Sequence, residues 1–369
     1  MNSDVVMVLV VLAALGFGFS NGFHDTFDLI STAVSTGAAS PQLAIAVAAV
    51  LTFAGALIST AVAATVAHDV IEATAITPGV VFAGLIGAIA WNLATWRFSL
   101  PSSSSHALIG GVVGAALAAA GTGAVHGSGL LDKVLVPALI APLAAFLLGG
   151  LVIVVIYRLL GSRRPGPITR AFRRAQIGSG GLLALAHGAN DAQKTMGVIM
   201  LAMIANGTLG ANAGPPLWTI VAAAAAIALG TYSGGWRVMR SRGTRIIKMD
   251  AAQGFSAQSG GAVAILVSTF LGFPISTTHA ISGGVIGAGA AKRVSAVRWG
   301  VAGNILIAWL LTLPAAAGIG AAAYGLARVF GTGALGPVLV AVIALALITA
   351  ALPRRPRHGP RVAHAEPSP

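Results

Sequence analysis

Asp25 and Asp191 are the residues of this chain whose type and setting most suggest chemistry. Each interrupts a long apolar run, where a carboxylate costs several kcal/mol unless it is paired, ion-bound or protonated. Of nine acidic residues, only Asp25, Asp28 and Asp191 fall inside such runs. On a helix Asn21 and Asp25 share a face, as do Asp25 and Asp28, and Asn190 directly precedes Asp191. Carboxylates beside amide oxygens suit a hard cation or a proton, so Asn21, Asp25, Asp28, Asn190 and Asp191 form the candidate cation site. The alternative is a buried polar pair that only cements helix packing. Lys194, three residues after Asp191, is either a counter-ion, the preferred reading, or a positive charge for an anion.

A second pair of motifs suits an anion. Pro101-Ser-Ser-Ser-Ser-His106 and Pro274-Ile-Ser-Thr-Thr-His279 each read as a helix start, with proline and then hydroxyls that favour the N-cap. A helix N-terminus offers unpaired N–H groups and positive dipole charge. Ser103, Ser104, Ser105, Ser276, Thr277 and Thr278 therefore make a candidate oxyanion site, with His106 and His279 as accessory groups. Capping alone is the competing role. Arg97 is either a further anion contact or an interfacial residue.

The elements that must position these groups are membrane helices. The chain has 369 residues, 56% hydrophobic and 8% charged, against about 25% charged in ordinary soluble proteins. Apolar runs long enough to cross a bilayer, about 18 residues or more, begin at Val5 and continue at Leu43–Ala67, Val80–Trp96, Val134–Tyr157, Ile177–Ile204, Leu217–Gly235, Phe255–Leu271, Trp299–Leu326 and Leu335–Leu352. Ser102–Ala120 and Pro274–Ala291 are glycine-rich and read as either full spans or one arm of re-entrant hairpins. The first run lacks a basic leader and reads as a retained span.

The net charge of +13 is topological. Eighteen of the 22 basic residues cluster at 158–174, 237–248, 292–298 and 354–361. All four clusters fall inside if the N-terminus lies outside, with the C-terminus inside. Nucleic acid as a partner is excluded, since no polar scaffold with interleaved aromatics accompanies the charge. The absence of cysteine removes disulfides, thiol catalysis and iron–sulfur chemistry, and no cofactor beyond a coupling cation is expected.

The motifs occur twice in the same order. Asn21-Gly-Phe-His-Asp25 matches His187-Gly-Ala-Asn-Asp191 at an offset of 166, and Pro101–Gly114 matches Pro274–Gly287 at an offset of 173, with eight of fourteen positions identical. Topological parity gives the halves opposite orientations. The expected fold is thus an all-α polytopic membrane protein of two inverted-topology repeats with discontinuous helices or re-entrant hairpins, a plan used by secondary transporters. Its parts are a first repeat (1–157), a basic cytoplasmic linker (158–176), a second repeat (177–326), a final helix (327–352) and a basic tail (353–369). Gly110-x-x-x-Gly114 and Gly283-x-x-x-Gly287 read as close-packing seams.

An enzyme is a distant alternative. Gly18-Phe-Ser-Asn-Gly22 matches G-x-S-x-G, with His24 one turn from Ser20, yet that motif needs a strand-to-helix elbow and here lies in a helical run. The second copy carries Ala186 in place of Ser20.

These motifs resemble the inorganic phosphate transporter family, the PiT type of ion-coupled symporters. The resemblance runs from Gly16 to Pro314 and rests on Asn21–Thr26, Pro101–Ala107, His187–Gly197 and Ser276–His279. It implies a dimeric bacterial inner-membrane carrier in a lipid environment, taking up inorganic phosphate, alone or as a metal complex, with H+ or Na+. It places Asp25, Asn190 and Asp191 in the ion and substrate region. Some members carry sulfate, which as a tetrahedral oxyanion stays an alternative substrate. Where the family usually has Ala-Asn after Asp-Thr, this chain has Phe27-Asp28; the extra carboxylate tilts the choice toward protons.

Overall fold

The structure is a computed structural model that describes residues 2–98, 100, 102–238, 249–331 and 333–351. Pro101, Arg240, Arg242, Arg245, Lys248 and the tail from 353 onward lie outside the described residues. The helices are α1 (Asn2–Ser35), α2 (Pro41–Gly55), α3 (Ala61–His68), α4 (Pro78–Phe98), α5 (Ser104–Ala120), α6 (Gly127–Gly129), α7 (Val136–Leu160), α8 (Pro165–Ala205), α9 (Leu217–Val238), α10 (Ala251–Phe270), α11 (Thr277–Ala290), α12 (Trp299–Val329) and α13 (Leu335–Ala351). A π-helical turn over Leu130–Leu135 joins α6 to α7. Among the described residues the one β-type pairing is an isolated bridge between Ile71 and Val125.

Five of these helical segments are long and apolar enough to cross a membrane: Ser3–Ser35, Pro78–Phe98, Gly127–Leu160, Leu217–Gly234 and Ala302–Val329. The polarity is inside out. Leu139, Leu143, Leu147 and Leu151 on α7, and Ile307, Leu310 and Leu311 on α12, are exposed, while Asn21, Asp25, His187, Asp191 and Lys194 are buried. Water would penalise that surface, whereas lipid accepts it and drives polar groups inward. The chain is a multi-pass membrane protein.

Glycines let the helices approach closely. Gly22 on α1 abuts the Ile227 carbonyl of α9, and Gly188 on α8 abuts the Thr52 carbonyl of α2. Gly110 and Gly114 on α5 press on the Leu313 and Ala317 carbonyls of α12; Gly283 and Gly287 on α11 press on the Pro142 and Phe146 carbonyls of α7. No room for a Cβ exists at any of the six. The same seam therefore recurs in the two halves, and it is exchanged between them. Helix α12 covers α4 and α5, while α7 covers α10 and α11.

Two expected boundaries change. Leu43–Ala67 is not one helix: α2 ends at Gly55 and α3 starts at Ala61. The break is stabilised because Gln193 Oε1 accepts the N–H groups of Val62 at 2.8 Å and Ala63 at 3.2 Å, which serve as donors at the start of α3. The expected linker 158–176 is mostly helix, since α7 runs to Leu160 and α8 starts at Pro165, with proline in its first turn.

Helices α5 and α11 have 17 and 14 residues, about 25 and 21 Å long at 1.5 Å per residue. Both fall short of a hydrocarbon core of about 30 Å. Their N-terminal ends are buried and meet the middle of α1 and α8.

Candidate functional site

The site forms where the starts of α5 and α11 converge on the polar middles of α1 and α8. Ser103 and Ser276 precede the two helices with extended backbones, and their hydroxyls accept from the N–H groups of His106 at 3.1 Å and His279 at 3.3 Å. These two of the six predicted hydroxyls therefore act as N-caps. The other four turn toward the acids or toward the opposite half.

Ser104 donates to Asn21 Oδ1 at 2.7 Å and lies 3.4 Å from Asp25 Oδ2. Thr277 donates to Asp191 Oδ2 at 3.0 Å and lies 3.5 Å from Asp25 Oδ2. Thr278 lies 3.4 Å from Asp25 Oδ1. Ser105 reaches across to donate to the Ile275 carbonyl at 2.9 Å. Asn21 Nδ2 approaches Asp191 Oδ2 at 3.4 Å. Residues from α1, α5, α8 and α11 thus share one buried cluster, with Asp25 1% and Asp191 0% exposed.

Lys194 and His187 complete it. The Lys194 ammonium pairs with Asp191 Oδ1 and donates to the Ser105 hydroxyl, and at 2.7 Å to the Ile275 carbonyl. His187 Nδ1 lies 3.1 Å from Asp191 Oδ2 and 3.4 Å from Thr277 Oγ1. Ligand atoms of Asp25, His187 and Asp191 all lie within 4.8 Å of one another, close enough to share a metal ion. Two carboxylates, a histidine and hydroxyl oxygens suit a proton or a hard cation rather than a soft metal.

Not every predicted residue joins. Asn190 turns away, donating at 3.0 Å both to Thr269 Oγ1 and to the Phe273 carbonyl. Its Oδ1 has no partner among the described residues. Asp28 is half-buried, one helical turn beyond Asp25 on α1. His106 and His279 contact each other, with ring centroids 5.0 Å apart, and His279 stacks on Trp309 at 3.7 Å. Arg97 is exposed, in the last turn of α4. The hydrolase geometry is missing: Ser20 donates to the Phe17 carbonyl at 2.8 Å, and His24 Nδ1 pairs with Asp25 Oδ1 at 2.8 Å.

Sequence reasoning missed His24, His187 and Gln193. His187 occupies the position of Asn21 in the second copy, four residues before the acid, a signal that was available. Also missed is the buried polar chain in which Gln258 donates to Thr32 at 2.6 Å, Ser179 to Gln258 at 2.8 Å and Thr36 to Gln176 at 2.6 Å.

The model of the phosphate transporter family matches residues 21–169 and 161–320. The chain belongs to the phosphate transporter family. It is 49% identical over 327 residues to a protein of Mycobacterium tuberculosis described as a "probable low-affinity inorganic phosphate transporter", covering 88% of this chain and 78% of that one. Proteins of the same description from Rhizobium meliloti and Bacillus subtilis are 46% and 43% identical, over 86% and 87% of this chain and 96% of each relative. A solved structure described as "The sodium-dependent phosphate transporter" shares the fold, with a TM-score of 0.82 at 23% identity, covering 88% of this chain and 99% of that one. As a member of the phosphate transporter family the chain is a carrier and not an enzyme. The buried acids and hydroxyls accordingly lie in a transport protein.

Proposed function

We propose that this chain imports inorganic phosphate by cation-coupled symport, alternating access between two inverted halves. The observation that carries the reading is the meeting of two buried carboxylates, Asp25 and Asp191, with hydroxyls at the starts of α5 and α11. Helix starts and hydroxyls favour an oxyanion. Acids beside them repel it unless cations enter too, and that electrostatic requirement is the basis of coupling. Ser103, Ser104, Ser105, Ser276, Thr277 and Thr278 form the phosphate side, Ser103 and Ser276 by holding the helix starts. Asn21, Asp25, Asp28 and Asp191 form the cation side, with Asn190 holding α8 against α10.

The halves are residues 1–157 and 177–326, with the tips of the α4–α5 and α10–α11 hairpins meeting from opposite sides of the membrane. The protein sits in a bacterial inner membrane with its N-terminus outside and C-terminus inside, as a homodimer in lipid. Protons drive it in preference to sodium, because the half-buried carboxylate Asp28 adds a third acid to a site holding a single lysine. Its substrate is phosphate, free or as a neutral metal–phosphate complex.

Uptake of labelled phosphate into proteoliposomes under an inward pH gradient, without sodium, tests this. Accumulation that requires sodium overturns the proton reading; competition by sulfate equal to that by unlabelled phosphate overturns the substrate assignment.

A further inference from the structure

The two halves of the site differ in one charge. At the offset that matches Asp25 to Asp191, Lys194 corresponds to Asp28; at the offset of the hydroxyl motifs, Ser105 corresponds to Thr278. In the structure Lys194 donates to the Ser105 hydroxyl, while the matching hydroxyl of Thr278 lies 3.4 Å from Asp25 Oδ1, the acid one helical turn before Asp28. One position therefore carries an ammonium and its counterpart a carboxylate.

The surroundings of the ammonium resemble those of a bound ion. Its three partners are a carboxylate from α8, a hydroxyl from α5 and the Ile275 carbonyl just before α11. All are oxygens, and they come from both halves of the chain, as in an inter-domain cation site. Lys194 is 0% exposed, so its charge must be balanced by protein groups or other buried partners. A helix counter-ion would need Asp191 alone; this ammonium also ties together the starts of α5 and α11, the two elements whose hydroxyls line the site.

We propose that Lys194 is a tethered cation, permanently filling one of two equivalent cation positions, so that the mobile coupling cation serves only the half containing Asp25 and Asp28. The proposal rests on the symport reading above. In the half containing Asp191 the positive charge beside the acid and the hydroxyls is covalently attached and is never released with phosphate. The number of coupled cations is accordingly lower than in a site where a neutral residue replaces Lys194.

The test uses the full-length protein with Lys194→Ala, which removes the ammonium, and Lys194→Gln, which keeps a donor but no charge. In choline medium, phosphate uptake by either variant should fall at least about tenfold, given the cost of leaving Asp191 unneutralised. Methylammonium, a detached copy of the lost group, should restore uptake by Lys194→Ala but not by Lys194→Gln, whose side chain fills the space. It should also raise the melting temperature of Lys194→Ala, and not of wild type, in phosphate-free detergent solution. Wild-type uptake by Lys194→Gln in choline overturns the proposal. So does a folded Lys194→Ala protein that methylammonium neither restores nor stabilises. If Lys194→Ala does not fold, uptake by Lys194→Gln decides. Failure of the wild type to accumulate phosphate would overturn the symport reading, while the phosphate-free melting shift reports on the tethered cation independently.

Discussion

His106 and His279, which occupy the same place in the two copies of the hydroxyl motif, touch edge to face with ring centroids 5.0 Å apart. Residues 173 positions apart in the chain thus meet in the buried interior, each in the first turn of a helix whose first residues reach the acids of α1 and α8. This meeting ties the two halves into one site, and it makes the site sensitive to changes in either half.

Asp25→Asn and Asp191→Asn should each abolish coupled phosphate uptake while leaving the amount of membrane-inserted protein unchanged. Each replacement keeps the shape and removes a negative charge that balances a cation of the site, the mobile one at Asp25 and the Lys194 ammonium at Asp191. Uptake assays normalised to protein in proteoliposomes check it; wild-type transport in both variants would refute the site assignment.

Gly114→Val and Gly287→Val should lower stability to similar degrees, because their Cβ atoms would strike the Ala317 and Phe146 carbonyls of the covering helices. Overpacking a close seam costs about 1–3 kcal/mol. Thermal melting in detergent measures the loss, with Gly318→Ala, where nothing lies within 4 Å of an added Cβ, as the control.

Gln193→Leu should loosen the α2–α3 break. It leaves the N–H groups of Val62 and Ala63 without their acceptor, a cost of about 1–3 kcal/mol for a buried donor. Faster hydrogen exchange over residues 56–64 than in wild type is the expected reading.

At the surface, Lys292 Nζ pairs with Asp250 Oδ2 at 2.9 Å, and Asp250 caps α10 through a reciprocal capping box with Gln253. Partial burial raises the Asp250 carboxyl, but the Gln253 N–H and Lys292 outweigh it and hold it below its ordinary value. Its hydrogen bond to Asp250 raises the Lys292 ammonium. A depressed carboxyl contributes stability above its unfolded pKa that is lost as pH falls through the folded one. A raised ammonium contributes below its unfolded pKa and is lost as pH rises through the folded one. The pair therefore acts across the neutral range. Lys292→Met should cost at most about 1 kcal/mol there, the ceiling for an exposed pair, and less in strong acid. Asp250→Ala, which also removes the cap, should cost about 1 kcal/mol more. Melting temperatures across pH separate the two contributions.

Much of the architecture was legible in the sequence because a bilayer imposes simple rules. Asp25 and Asp191 stood out as carboxylates in apolar runs, the hydroxyl motifs as helix starts, and Gly110, Gly114, Gly283 and Gly287 as small-residue seams. Lys194 was placed beside Asp191 by spacing alone. Helical periodicity, however, reports which residues share a face and not which helix covers it. For that reason the chain itself did not reveal that α12 covers α5 while α7 covers α11. Nor did it reveal that Gln193 caps the start of α3, that Asn190 turns toward Thr269 and Phe273, or that Ser103 and Ser276 are consumed as caps. Composition, spacing and duplication determined the solvent, the family resemblance and the charged residues that matter, because burying a charge in lipid is costly wherever the chain goes. Only the tertiary structure decided which oxygens gather around each charge, because those partners come from helices up to 253 residues apart and meet only when close glycine packing brings the two halves together.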